Sequence, residues 1–327
     1  MFFARNNLVF GKRMYYDEKK RQSGGTDGWF SKGRRLMQYS KISGFSDEIT
    51  ENIEGQFSVL KKLGIGYFEP RGIDGKNIAR LSGQEAADLK RKMDEWEIRA
   101  SSIGSPIGKV KLDEDFEEHF LLFKRVVDIA KTLEAGYIRM FSFYRGGIAS
   151  GEGSETEWTG EERAEVLLRL SRMIEYAREA DIVLLHENEK DIYGDTAERC
   201  ADLMRELGCG HFRAVFDPAN FVQCGEDTIK AAERLKEHIA YVHIKDAVWE
   251  DGRVVPAGAG DGNVEQVLKD LLNGGYSGFL SLEPHLGSFA GLEGLELGGK
   301  MQDLPQGGEG TFTLAYRALE DILERIL

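Results

Sequence analysis

The chain has 327 residues, 41% of them hydrophobic, and a formal net charge of -13; this is enough for a large core, and α/β barrels of this length occur as single domains. Residues 1 to 38 hold nine Lys and Arg against three Asp and Glu, leaving 34 basic and 53 acidic side chains in the remainder, a balance that repels phosphate backbones and argues against nucleic acid as a partner. No window approaches the roughly 18 uncharged apolar residues of a membrane span, and three cysteines without CxxC spacing, Cys200, Cys209 and Cys224, fit free thiols in a reducing compartment, so a soluble cytoplasmic protein is expected.

The basic leader has no continuous apolar stretch of the kind a signal peptide needs. It reads as a loosely ordered extension, residues 1–38, ahead of one domain over 39–327. From there strand and helix patterns alternate. Lys41 to Asp47 alternates like a strand, and Glu51 to Leu63 carries Ile53, Phe57, Leu60 and Leu63 at helical spacing before Gly64 ends it. Strand 65–69 with helix 85–96, strand 98–103 with helix 116–133, and strand 136–141 with helix 161–180 follow, the last across a Gly/Ser/Glu-rich loop at 146–160. The second half repeats the rhythm with strands 182–187, 212–217, 240–245 and 278–283 and helices 195–207, 227–236, 263–273 and 311–326. Eight such units predict a parallel sheet closed into a single (β/α)8 TIM barrel, with function at the carboxyl ends of the strands. No GxGxxG or GxxxxGK[ST] follows any strand, so nucleotide-binding folds have no support.

Four of the strand patterns end on potential ligands. Ile182-Val-Leu-Leu-His-Glu187, Phe212-Arg-Ala-Val-Phe-Asp217 and Gly278-Phe-Leu-Ser-Leu-Glu283 each stop on a carboxylate, and Tyr241-Val-His-Ile-Lys-Asp246 puts Tyr241, His243 and Lys245 on one face. If the strands lie in parallel, Glu187, Asp217, His243 and Glu283 converge. Three carboxylates and one imidazole suit a single divalent ion, Mn²⁺ first, with Mg²⁺, Co²⁺ or Zn²⁺ as alternatives. Singly each has a plainer explanation: a strand-end carboxylate is often a helix cap, and Asp217 precedes Pro218, which favours that role. The case rests on four consecutive units ending alike. Glu189 is the alternative ligand to Glu187. Lys245 is a candidate for offsetting negative charge on a substrate, with a salt bridge as its alternative. Glu69, Arg71, Lys109 and Arg139 are either substrate contacts or ion pairs at the barrel rim.

The runs His-Glu187-Asn-Glu, Phe-Asp217-Pro-Ala-Asn220-Phe, His243-Ile-Lys245-Asp246, Pro-Ala-Gly258-Ala-Gly-Asp261-Gly and Ser-Leu-Glu283-Pro-His resemble the xylose isomerase-like sugar phosphate isomerase/epimerase family, over about residues 40 to 325. The resemblance implies a metal held by Glu187, Asp217, His243 and Glu283, with Glu187 and Glu283 doubling as acid and base. It also implies substrate contacts from Asn220 and, through a looser match, from Arg253. The leader, the loop at 146–160 and a Gly-rich insertion near 287–310 depart from the family pattern.

The expected activity is isomerisation or epimerisation of a sugar or sugar phosphate by proton transfer through an enediolate, with the two glutamates as acid and base. An inosose dehydratase-type or keto-sugar lyase reaction on the same site is the alternative. A metal-dependent phosphodiester hydrolase of the apurinic endonuclease type ranks below both, because its metal cluster needs more histidines than a chain with six His readily supplies. Barrels of this size often form homo-oligomers, so assembly is left open.

Overall fold

The computed structural model describes residues 39–146, 157–288 and 306–327. The expected N-terminal extension, most of the 146–160 loop and most of the 287–310 insertion lie outside the described residues. The strands of the Tyr39–Leu327 unit are β1 (Ile42–Gly44), β2 (Tyr67–Phe68), β3 in two pieces (Arg99–Ala100 and Ile103–Gly104), β4 (Tyr137–Met140), β5 (Val183–Glu187), β6 (Phe212–Phe216), β7 (Ile239–Ile244) and β8 (Phe279–Leu282). The helices are α1 (Ile53–Lys62), α2 (Gly83–Glu95), α3 (Phe116–Thr132), α4 (Gly160–Glu179), α5 (Ala197–Leu207), α6 (Thr228–Leu235), α7 (Val264–Asn273) and α8 (Glu309–Ile326).

Seven strands form one parallel sheet in the order β1, β8, β7, β6, β5, β4 and the second piece of β3. The first piece of β3 pairs with β2, and the Glu69 amide donates to the Gly44 carbonyl at 2.9 Å, which ties β2 back to β1. The circle is therefore closed, and the (β/α)8 expectation holds. The break in β3, where the sequence suggests one strand over 98–103, falls at Ser101. Its hydroxyl turns inward to the Phe68 carbonyl at 3.0 Å, the Ser43 hydroxyl at 2.6 Å and the Tyr241 hydroxyl at 2.8 Å.

Inside the barrel, Leu185, Val215 and Tyr241 pack together, with Tyr137, Val183 and Phe279 against them. One alternation further along β5, β6 and β7 come Glu187, Asp217 and His243, and Glu283 follows two alternations beyond Phe279, just past the end of β8. The apolar layer is thus the floor on which the polar layer stands. Outside it, the helices bury one stripe each, as in Phe312, Ala315, Tyr316, Leu319 and Ile322 of α8.

The glycine-rich run after β7 has a specific cause. Asp246 is fully buried, and its carboxylate accepts backbone N–H bonds from Gly258 (2.9 Å), Gly260 (3.0 Å) and Gly262 (2.8 Å) as well as from Ala247 (2.9 Å). A Cβ at 260 or 262 would stand 2.5 or 2.6 Å from Asp246 Oδ1, and Gly258 has φ +83°, so only glycine lets the backbone wrap that closely. Asp246 and the Pro-Ala-Gly-Ala-Gly-Asp-Gly run are one device that folds the loop behind His243. Asp246→Asn, which replaces acceptor lone pairs with a donor facing N–H groups, should cost about 2–4 kcal/mol of stability; a urea unfolding midpoint unchanged from wild type would contradict this role.

Candidate metal centre

Glu187, Asp217, His243 and Glu283 offer one donor atom each, and these four atoms lie within 4.8 Å of one another. Opposite donors on an octahedral ion of Mg²⁺ size are about 4.2 Å apart, so only a small contraction is needed to seat one. All four side chains are buried. Three oxygens and one nitrogen on consecutive strands are the donor set of a hard or borderline divalent cation, and the residues fit such an ion.

The imidazole lies at the centre. His243 Nδ1 is 2.8 Å from Glu187 Oε1, 3.3 Å from Glu283 Oε2 and 3.9 Å from Asp217 Oδ2. Nδ1 is thus the nitrogen turned toward the carboxylates. The ring is held edge-on by Phe45, at 5.2 Å between centroids, and by Tyr241, at 5.7 Å.

Asp217 serves two purposes with its two oxygens. Oδ1 accepts the Asn220 amide at 2.9 Å and caps the short helix Pro218–Gln223, with Pro218 in its first turn. Oδ2 is left buried without a hydrogen bond, 2.9 Å from Lys245 Nζ but outside hydrogen-bonding geometry. The cap is thus observed, and because it uses only Oδ1 it leaves Oδ2 available to the cluster, so the two explanations offered by the sequence do not exclude each other. Asn188 fixes this turn, donating to the Asp217 carbonyl and accepting from the Asp217 amide, each at 3.0 Å.

So many buried carboxylates require countercharge. Arg139 Nη1 donates to Glu187 Oε2 at 2.7 Å. Lys245 lies 3.2 Å from Glu283 Oε2, and Arg71 Nη1 and His285 Nε2 are each 3.4 Å from Glu283 Oε1. Arg71 in turn is held by Asp47 at 2.9 and 3.1 Å and by Glu48 at 3.2 Å. Burial alone would raise the Glu187 carboxyl, but His243 and Arg139 outweigh it and hold it at about 2. Glu283 is likewise held well below the usual carboxylate range by Lys245, His285 and His243 against its burial. Burial dominates at Asp217, which rises to about 7 despite Lys245, and at Glu48, which rises to about 8 despite Arg71. Against its own burial, His243 is pushed well above an ordinary imidazole by Glu187, Glu69 and Glu283.

The remaining candidates are placed differently from one another. Lys245 and Arg139 reach the four-residue cluster, as described. Asn220 Nδ2 donates to the Asn188 carbonyl at 2.8 Å and, at 3.4 Å, to Glu187 Oε1. Lys109 pairs with Glu189 at 3.0 Å and lies 4.5 Å above the Phe141 ring; Glu189 is thus engaged beyond the end of β5, outside the four-residue cluster. Glu69 is buried in the barrel, accepting from Tyr241 at 2.8 Å and Ser281 at 2.7 Å. Arg253 stands half exposed beside Asp251 at 3.5 Å. His186 faces away from the cluster toward Gly194, as its position on the strand predicts, and is buried with its pKa lowered to about 4 by that burial. Phe45 and Glu48 escaped the sequence reading, and His285, though part of the Ser-Leu-Glu283-Pro-His run, was given no role there. Phe45 and Glu48 sit just past the end of β1, which carries no ligand of its own, and His285 lies two residues past Glu283, where only chain position could have flagged it.

A family model described as xylose isomerase-like TIM barrel matches residues 57–299. No protein of curated function matches the chain by sequence. Among solved structures, a D-allulose 3-epimerase from Methylomonas sp. in complex with D-allulose is similar with a TM-score of 0.63 and 17% identity, over 87% of this chain and 96% of that one. A xylose isomerase-like TIM barrel protein from Mycobacterium smegmatis in complex with magnesium gives 0.64 and 15%, over 89% and 99%. A probable 3-DHS dehydratase from Bacillus anthracis gives 0.60 and 16%, over 74% and 92%. At these identities the likeness speaks for the fold. Among the described residues no helix is long and apolar enough to cross a membrane.

The cluster's protonation makes a prediction with a definite sign. A cation can take His243 Nδ1 only after its proton leaves, and the raised pKa of His243 and the value of about 7 at Asp217 place bound protons on the metal-free site at pH 7. Divalent-ion uptake should therefore release at least about one proton at pH 7, and affinity should climb roughly tenfold per pH unit while that proton is bound. Titration calorimetry with Mn²⁺ in buffers of different ionisation enthalpy measures this; uptake without proton release would contradict the assignment of His243.

Proposed function

Because the chain belongs to the xylose isomerase-like TIM barrel family, and because its one cluster of buried ligands among the described residues is the Glu187, Asp217, His243, Glu283 set, we propose that it is a divalent-metal-dependent sugar or sugar-phosphate isomerase or epimerase. The single observation that carries this is the placement of two glutamates, from the ends of β5 and β8, at 2.8 and 3.3 Å from His243 Nδ1. Both are held ionised by neighbouring cations.

A divalent ion bound by these four residues, Mn²⁺ being our first choice, supplies Lewis-acid stabilisation of charge developing on a substrate carbonyl. The protein does the rest. One of Glu187 and Glu283 removes the proton from the carbon beside the carbonyl, and the other returns one. Arg139 keeps Glu187 oriented through its 2.7 Å bond. The Lys245 ammonium, buried beside Asp217 and Glu283, offsets negative charge as it builds on the substrate oxygens. Asn220 steadies Glu187, and Lys109 with Glu189, beyond the ends of β3 and β5, contacts substrate hydroxyls. Arg253, half exposed on its loop, can reach a substrate only from the outer rim, so its part is the most peripheral. Return of the proton to the same carbon gives an epimer, and return to the neighbouring carbon gives an isomer.

Solvent deuterium should enter a panel of ketoses and sugar phosphates in the presence of the Mn²⁺-loaded protein. Glu187→Gln or Glu283→Gln should reduce that exchange by roughly 10²–10⁴-fold. Mass spectrometry of the recovered sugar reads both the extent and the labelled carbon; loss of water instead would identify the dehydratase reaction. Full exchange in Glu283→Gln with metal still bound would rule out the two-glutamate scheme.

A further inference from the structure

His243 has two ring nitrogens, and only Nδ1 faces the carboxylate cluster. Nε2 points the other way, into the barrel, where it is buried without a hydrogen bond. Opposite it, at 3.3 Å, is Glu69 Oε2. Glu69 rises from the end of β2, on the far side of the barrel axis from the ligand strands, and is 1% exposed. Its Oε2 accepts from Tyr241 and Ser281, and its Oε1 is buried without any partner. The ring nitrogen with no bond of its own thus faces Oε2, the oxygen that Tyr241 and Ser281 hold in place, while the other oxygen of the same carboxylate has no partner. Unpartnered buried polar groups are costly and call for an explanation.

We propose that Glu69 is a positioning residue for the metal centre: it receives the Nε2–H of His243 and so commits Nδ1 to the cation. This rests on the reading of the four-residue cluster as a metal site. Imidazole is ambidentate, and a neutral ring can carry its one proton on either nitrogen. A carboxylate beside Nε2 holds the proton there, leaves the Nδ1 lone pair free, and makes that lone pair more basic. Among the described residues, Glu69 is the group placed to do so. Phe45 and Tyr241 close the flanks of the ring edge-on, and the Tyr241 hydroxyl is spent as a donor on Glu69 itself. Glu69 was a candidate substrate contact from sequence; with 1% exposure below the imidazole, it serves the substrate only through His243.

The test compares Glu69→Gln with Ser281→Ala. Glutamine keeps the shape and, with its amide oxygen in the Oε2 position, an acceptor for Tyr241, Ser281 and the imidazole, but it removes the negative charge that holds the proton on Nε2. Ser281→Ala removes a neighbour of Glu69 and leaves the imidazole contact intact. Mn²⁺ affinity by calorimetry should fall by roughly 10–100-fold in Glu69→Gln and stay near wild type in Ser281→Ala. In parallel, ¹⁵N-histidine-labelled metal-free protein should show a His243 Nε2–H protected from solvent exchange, with that protection reduced in Glu69→Gln, whose neutral amide oxygen is the weaker acceptor. Equal weakening in both variants would reduce Glu69 to a packing role, and unchanged affinity or unchanged protection in Glu69→Gln would also overturn the proposal. If wild type takes up no Mn²⁺, it is the metal reading that fails, and the exchange experiment alone then decides the Glu69 contact. Should Glu69→Gln not fold, Glu69→Asp, which keeps the charge but withdraws it by one methylene, is expected to lose protection and affinity in the same sense.

Discussion

The molecule is organised around a crowding of like charge that water cannot relieve. Glu187, Asp217, Glu283 and Glu69 are all buried within one barrel mouth, and isolated carboxylates at such depth would take up protons rather than stay charged. What keeps two of them ionised is a matching set of cations drawn from the same interior: Arg139 on β4, Lys245 after β7, Arg71 after β2 and the His243 ring. Since these cations come from three different strands, the balance exists only when the barrel is closed. Fold and electrostatics are therefore one constraint, and the short bond between the Gly44 carbonyl and the Glu69 amide at the closure point belongs to both.

Phe45 shows how closely the apolar and charged parts are interleaved. Its ring lies against His243, with the Arg71 guanidinium 4.3 Å and that of Arg139 5.2 Å from its centroid. One aromatic face thus supports the central imidazole and two of the compensating cations, through edge-on and cation–π contacts. Gly104 makes room for it, since a Cβ there would come within 2.5 Å of the Phe45 ring. A small residue on β3 and a large one after β1 are in this way matched across the barrel.

Much of this was legible in the chain. The eight-fold alternation of period-2 and period-3.6 patterns carried the barrel, and the strand ends at Glu187, Asp217, His243 and Glu283 carried the cluster, because a β-strand's alternation fixes which side chains share a face. What was not legible came from contacts between distant strands. Nothing around Glu69 distinguishes a group buried under an imidazole from one at the rim, since it follows a two-residue strand whose orientation is set by Tyr241 and Ser281, over 170 residues away. Arg71 was seen only as a substrate contact or rim ion pair, and its tie to Asp47, Glu48 and His285 depends on closure of the barrel. The two roles of Asp217 looked like rivals in one dimension because sequence assigns a residue, whereas the structure assigns each oxygen.

Lys245 has a consequence for how such a protein is made. Its ammonium already stands between Asp217 and Glu283, so the polypeptide brings its own provisional counter-ion to the place where its ligands gather. Small metal-dependent domains that lack one remain unfolded until the ion arrives. A chain that carries its own cations to these carboxylates does not need an added one to close its barrel.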